Sequence, residues 1–319
     1  MSDLVTFGET MLRLSPPDEE RLETADRYDV HVAGAESNVA VASQRLGLDA
    51  AWMSKLADSP VGRKVANELR SHGITVDVAW DDTDERRQGT YYFEPGQPPR
   101  GSDVIYDRAR ASVTTATTAE LPTDRIANAT GFHTTGITPA LSETLESTTA
   151  KLLSAAQAAD TLTSFDVNYR SNLWDQERAE AAVTDLFPDI DVLVVAERDA
   201  KTVLGETGGA ESIARTLDDQ YGFDVVLVTR GSEGALALTD GEVFEQPTYE
   251  ASDAYPVGTG DSFVGGFLSQ YLGDGSVTDG LRWGAAAAAL KRSVPGDVAV
   301  ISPAEVEEVI RGQTETLSR

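Results

Sequence analysis

Short apolar runs bounded by glycine and polar turns alternate along this chain with segments whose apolar residues recur every three or four positions. The first pattern predicts buried strands and the second amphipathic helices. Residues 3–8 form an apolar run ended by Gly8, and residues 51–54 and 74–80 read the same way. Helical spacing runs from Val39 to Leu46 and again over 61–72, where Gly73 takes the position just past a helix end. Beyond residue 130 the alternation becomes regular, with strands expected near 131–135, 161–166, 191–195, 224–229, 235–239 and 242–246. Helices are expected at 142–158, 175–186, 197–204, 210–220, 261–272, 277–291 and 303–312. Alternation at this density predicts an α/β fold: a doubly wound, mostly parallel sheet with helices on both faces.

Two stretches break the rhythm. From Glu9 to Val32 the pattern is irregular, with Arg13, Ser15, Pro16 and Pro17. Within 81–112, two alternating aromatic segments, Gly89 to Phe93 and Val104 to Arg108, flank a proline–glycine turn. They read as a hairpin outside the parallel sheet. Insertions at about 10–33 and 87–112 would build a small β-sheet lid on a single domain spanning 1–319. The exposed aromatic edge of such a lid favours a homo-oligomer, because an unpaired edge strand recruits partners.

Charge narrows the function. Of 319 residues, 53 are acidic and 26 basic, a formal net charge of −27, and only Lys55, Lys64, Lys151, Lys201 and Lys291 are lysines. That balance argues against nucleic acid or an anionic membrane as partner, since both require a basic surface. Acidic residues are spread through a chain that is 40% hydrophobic, so this is a folded protein rather than an acidic tail. A dense carboxylate surface fits a halophilic setting, where salt screens the self-repulsion. The absence of cysteine excludes disulfides and thiolate metal sites and fits a cytoplasmic location. No basic flank and apolar core mark a signal peptide at the start, and no run approaches the ~20 apolar residues of a membrane span. His31, His72 and His133 have no metal-site spacing and read as structural.

Candidate chemistry clusters where strands end, which is where open α/β sheets bind ligands. Gly136-Ile137-Thr138-Pro139, Asp166-Val167-Asn168-Tyr169-Arg170 and Thr229-Arg230-Gly231 each follow an expected strand. The most informative stretch is 252–271, where a turn containing Pro256, Gly258 and Gly260 opens into a helix with Phe263, Phe267 and Tyr271 four apart. A glycine turn feeding a helix leaves amides unpaired and pointing outward with the positive end of the dipole, a ready anion site. Asp261 stands in that turn. It reads either as a helix cap or as a base beside an anion hole, the arrangement phosphoryl transfer to a hydroxyl needs.

Gly258-Thr259-Gly260-Asp261-Ser262-Phe263 resembles the glycine–aspartate signature of the ribokinase-like (PfkB) carbohydrate kinases. Gly34-Ala35-Glu36-Ser37-Asn38 resembles that family's first sugar-contacting turn, and the likeness runs from Gly8-Glu9 to the helix at 277–291. The stretches from Gly136 to Ser142 and from Asp166 to Arg170, with Leu173-Trp174, resemble 2-keto-3-deoxygluconate kinases within the family, here of haloarchaeal type. The resemblance implies ATP-dependent phosphorylation of a sugar acid to its 6-phosphate, with magnesium. Asp261 would be the general base, and the amides of Val257, Gly258, Thr259 and Gly260 the anion hole. Gly34, Ala35 and Asn38 would contact sugar hydroxyls; Tyr91, Tyr106 and Arg108 would point inward from the lid; Ile137, Arg170 and Asp297 would complete the substrate site. Asn168, Arg170, Thr229, Gly231 and Gly234 would serve ATP along with Gly258 and Gly260. Asp199, in Ala196-Glu197-Arg198-Asp199, would stand where the family has Asn-x-x-Glu and act on the metal indirectly. Tyr255 replaces an aspartate commonly associated with a monovalent-cation loop, so potassium activation is not implied. Arginines at 108 and 170 suit bidentate recognition of a carboxylate, which favours a keto-acid sugar over fructose or ribose. A fructokinase, ribokinase or nucleoside kinase is the rival within the class, and a non-catalytic sugar-binding regulator the rival outside it.

Overall fold

Consecutive residues of each central strand face opposite sides of a sheet, and here both sides are apolar. Leu4, Val192, Val194, Val225 and Leu227 enter one core, while Val5, Leu193, Val195, Val226 and Val228 enter another. A sheet of that kind must be covered twice, and it is. The computed structural model describes residues 2–317 apart from Asp18, Glu19, Gln97, Pro98 and Asp274, with side chains through Arg311. Gln97 and Pro98 of the expected proline–glycine turn therefore lie outside the described residues.

In chain order the elements are β1 (Leu4–Phe7), β2 (Met11–Ser15), β3 (Asp29–Ala33), α1 (Ala35–Arg45), β4 (Ala50–Ala57), α2 (Pro60–Ser71) and β5 (Thr75–Asp81). Then come β6 (Thr90–Glu94), β7 (Asp103–Asp107), α3 (Asp124–Ala127), β8 (Gly131–Thr135), α4 (Ile137–Ala140), α5 (Glu143–Gln157), β9 (Leu162–Asp166) and α6 (Gln176–Thr184). The last part holds β10 (Val192–Ala196), α7 (Glu197–Val203), α8 (Ala210–Tyr221), β11 (Val225–Thr229), β12 (Ala235–Thr239), β13 (Glu242–Gln246), α9 (Thr259–Tyr271), α10 (Val277–Lys291) and α11 (Pro303–Leu317).

Nine strands form the main sheet in the order β13-β12-β11-β10-β9-β8-β1-β4-β5. All pairings from β11 through β5 are parallel, and β12 and β13 join antiparallel at one edge. The edge hairpin turns on Asp240-Gly241, both with positive φ, the two-residue turn whose twist matches its strands. The chain leaves β1 for β4 and β5 on one side, then returns to lay β8, β9, β10 and β11 outward on the other. The order reverses at β1, so loops after β1, β8, β9, β10 and β11 converge on one crevice.

The irregular stretch after Gly8 is not loop alone: it contains β2 and β3. Together with the expected hairpin β6–β7 they make a four-stranded sheet, β3-β2-β6-β7. Its central pairing, β2 with β6, is parallel and sets Arg13 beside Tyr91. β7 is the outer strand, with Ile105 51% exposed. This small sheet stands over the mouth of the crevice, carrying Met11, Tyr91, Phe93, Val104, Tyr106 and Arg108 to its wall.

Candidate active site

α9 starts at the crevice because Gly258 turns the chain there in the left-handed region, φ +82. A β-carbon at that position would also collide with the Asp297 carbonyl oxygen, so both conformation and space require glycine. Gly260 is different: protein packing leaves its surroundings open. Thr259 secures the turn, its hydroxyl donating to the Pro256 carbonyl at 2.7 Å. The Thr259 amide donates to the Pro256 carbonyl at 3.3 Å, and the first amides of a helix have no acceptor within the helix itself.

Asp261 occupies the first turn of α9 without capping it. Its carboxylate instead accepts a 2.6 Å hydrogen bond from the Asn38 side-chain amide on α1, 223 residues away in sequence. Asn38 therefore orients Asp261, a role the sugar-contact expectation did not include. Burial pushes the Asp261 carboxyl up to about 6, opposed by Asn38 and by the Arg170 charge. Two more carboxyls share the floor. Asp166, at the end of β9, accepts the Asn168 amide at 3.1 Å and is raised to about 7 by burial and then by the Asp261 charge. Glu36 is likewise raised to about 7 by burial, although the hydroxyls of Thr135 and Thr138 both donate to it at 2.7 Å. Gly8 is glycine because a β-carbon there would run into the Glu36 carboxyl.

The small sheet contributes a second constellation. Arg13 pairs with Asp297 at 2.8 Å, and the Tyr91 hydroxyl donates to Asp297 at 3.2 Å. Burial raises the carboxyl of Asp297, against the pull of Arg13. Tyr91 packs against Tyr106, with ring centroids 5.7 Å apart, and Arg108 lies over Tyr106 at 4.2 Å. Arg108 does point inward, but it is not free: its guanidinium donates to Glu9 at 2.9 Å. Arg170 contrasts with it. Its guanidinium donates to the neighbouring Tyr169 carbonyl at 3.1 Å, and among the described residues no carboxylate forms an ion pair with it.

These groups line one cavity of about 510 Å³, together with Gly34, Ala35, Ile137, Asn168, Asp199 and the 256–261 turn. A second cavity of about 540 Å³ opens on the other side of that turn and is lined by Gly231, Gly234, Ala285, Ala288 and Arg292. Thr229, Thr259 and Gly260 border both. Asn168, expected beside the nucleotide, stands on the first cavity with Asp166 and Arg170. Gly234 lines the second cavity beside Gly231. A β-carbon on Gly234 would collide with the Gln246 carbonyl, whereas Gly231 has open space around it.

No cluster of three metal-ligating side chains exists among the described residues. Asp166 and Asp199, both on the first cavity wall, nonetheless fit a magnesium ion that brings nucleotide phosphates and keeps its waters. Burial raises the Asp199 carboxyl, with Arg198 beside it at 3.2 Å opposing the shift.

Sequence reading passed over Arg13, Glu9, Glu36 and Asp166 as site residues. Arg13 shares a strand face with Met11, but the run Met11-Leu12-Arg13-Leu14 does not alternate and carries no signal that the arginine points inward.

Residues 1–304 match the pfkB family of carbohydrate kinases. The chain is 55% identical over 311 residues to a 2-dehydro-3-deoxygalactonokinase of Haloferax volcanii, covering 98% of this chain and 97% of that one. It is 33% identical over 304 residues to a 2-dehydro-3-deoxygluconokinase of Bacillus subtilis, covering 93% and 91%. Its fold superposes on the crystal structure of a 2-dehydro-3-deoxygluconokinase from Thermotoga maritima with a TM-score of 0.90, 33% identity and coverage of 97% and 98%. Two cavities meeting at an amide-lined turn with a buried carboxylate are what a kinase of small hydroxylated molecules requires, and the chain is a sugar kinase of the pfkB carbohydrate kinase family.

Proposed function

We propose that this kinase transfers the γ-phosphoryl group of ATP to the terminal hydroxyl of a 2-keto-3-deoxy sugar acid, giving the 6-phosphate. The observation that carries this reading is the turn shared by the two cavities, with Asp261 on the side of the first. The acceptor would occupy the first cavity beneath the small sheet, and the nucleotide would lie along Gly231 and Gly234 in the second. Asp261, oriented by Asn38, takes the hydroxyl proton as the oxygen attacks the γ-phosphorus. The amides of Val257 to Gly260 hold the phosphoryl oxygens while the bond to the ADP oxygen breaks. When bound with the nucleotide, magnesium neutralises phosphate charge. Asp297, fixed by Arg13 and Tyr91, meets sugar hydroxyls, and Arg170 meets the carboxylate.

Two relatives named for 2-dehydro-3-deoxy sugar acids support the acceptor class, and the one at 55% identity favours activity on the galactonate epimer as well as the gluconate. A coupled ADP-release assay in high salt, with both epimers beside fructose and ribose, tests this. The expected result is a kcat/KM for the sugar acids at least ~10²-fold above that for either neutral sugar, the scale of losing one charged contact and its neighbours. Preference for fructose or ribose would refute the acceptor assignment.

A further inference from the structure

Lys291 is the last residue of α10 and is completely buried, with a side chain the phosphoryl-transfer steps above do not use. Its ammonium donates to the Val294 carbonyl at 2.9 Å and lies 3.5 Å from the Tyr255 carbonyl. No carboxylate forms an ion pair with it among the described residues. Those two carbonyls belong to the turns on either side of the helix pair: one leads into Gly258, the other into Asp297. The turns are packed so closely that the Asp297 carbonyl forbids a β-carbon on Gly258.

Further ties join the same pieces. The Tyr255 amide donates to the Arg292 carbonyl at 3.1 Å, the Arg292 guanidinium donates to the Ser252 carbonyl at 2.8 Å, and it also pairs with Asp253. Arg292 works from the surface, but Lys291 works from inside, where an unpaired charge is costly and an apolar side chain would suit packing better. Burial accordingly lowers the ammonium to about 8, against the pull of Asp297 and Asp261. A cation kept there despite that cost does something an apolar residue cannot.

We propose that Lys291 is a positioning residue for phosphoryl transfer: its ammonium clamps the turn before Gly258 to the turn before Asp297 through their carbonyls, and so holds the anion-hole amides in register with Asp261. This rests on the reading of 257–260 as the anion hole. A clamp of this kind acts on the geometry of the transition state more than on ground-state binding, so its loss is read in kcat.

The test uses the full-length protein in high salt. Lys291→Met removes the charge and keeps the volume, and Lys291→Gln, which retains an amide donor for the carbonyls, serves if the first does not fold. Either variant is expected to lose ~10–100-fold in kcat, below the ~10²–10³ of deleting an anion-hole donor outright, with both KM values within about threefold. Lys291→Ala is expected to regain at least ~5-fold of its lost kcat with methylammonium or ethylammonium at constant ionic strength, and nothing with tetramethylammonium, which is too bulky and has no N–H. Wild-type kcat in the Met or Gln variant overturns the inference. So does activity that returns with salt or lower temperature alone and is indifferent to amines, since that marks a purely structural lysine. Asp261→Asn measured in parallel separates the two levels: an active Asp261→Asn removes the reading of this turn as the phosphoryl-transfer site, on which the clamp rests, whereas an inactive one beside a normal Lys291 variant removes the clamp only.

Discussion

Arg170→Leu isolates the contribution of one guanidinium to acceptor choice. The structure makes the case for this arginine over Arg108, because Arg108 is already held by Glu9 whereas Arg170, among the described residues, donates to the Tyr169 carbonyl and pairs with no carboxylate. A charge-assisted hydrogen bond to a carboxylate is worth ~1.5–3 kcal/mol, which at ~1.4 kcal/mol per decade is about a ten- to hundredfold loss in kcat/KM for a sugar acid. A neutral sugar gains nothing from that contact and should lose less than about threefold. Arg170 also lowers the carboxyls of Asp261 and Asp166, so its removal pushes both up and moves the acid limb of the rate profile to higher pH. Measurement at pH 8, above that limb, keeps Asp261 ionised in both proteins and leaves the carboxylate contact as the difference. Melting should change little, because the lost side chain is half-buried and donates to the carbonyl of its own neighbour. Equal losses on sugar acid and neutral sugar at pH 8 would refute the carboxylate role of Arg170.

Other outcomes follow from the same geometry. Asp261→Asn should bind both substrates normally and lose ~10²–10⁴-fold in kcat, as expected for a general base, and a wild-type kcat would leave Asp261 a mere helix residue. Because the Asp261 carboxyl is raised to about 6 and must be ionised to accept a proton, kcat/KM should fall as pH drops through about 6. A profile without that limb would contradict the assignment. With 53 acidic against 26 basic residues, the melting temperature should climb with potassium chloride as self-repulsion is screened, and a flat or falling curve would remove the halophilic reading.

Much of this architecture was legible in the chain. Strands buried on both faces read as short apolar runs, and the helices between them repeat every three to four residues, so the parallel sheet and its two coverings follow from local pattern. The turn at Gly258 was equally legible, since glycine spacing at a helix start reports backbone that must turn left-handed and approach another chain closely. The strands near 235–239 and 242–246 were legible too, but their antiparallel pairing through the Asp240-Gly241 turn was not read from the sequence.

What only tertiary structure decided is which distant side chains meet. β2 and β3 hide in a proline-rich irregular stretch because neither alternates: β2 is buried at Met11, Leu12, Arg13 and Ser15, on both of its faces, and β3 is buried only at its last two residues. Their pairing with β6 aligns Arg13 with Tyr91, and both reach Asp297, 284 and 206 residues further along the chain. Asn38 on Asp261, Glu36 beneath Gly8 and the carbonyl contacts of Lys291 are products of the same long-range packing. In sequence, a lysine ending a helix looks like a solvated dipole partner, and a glutamate in a first turn looks like a cap. Burial alone turns the one into a clamp and shifts the other toward neutrality, and burial is a property of what the rest of the chain lays over a residue.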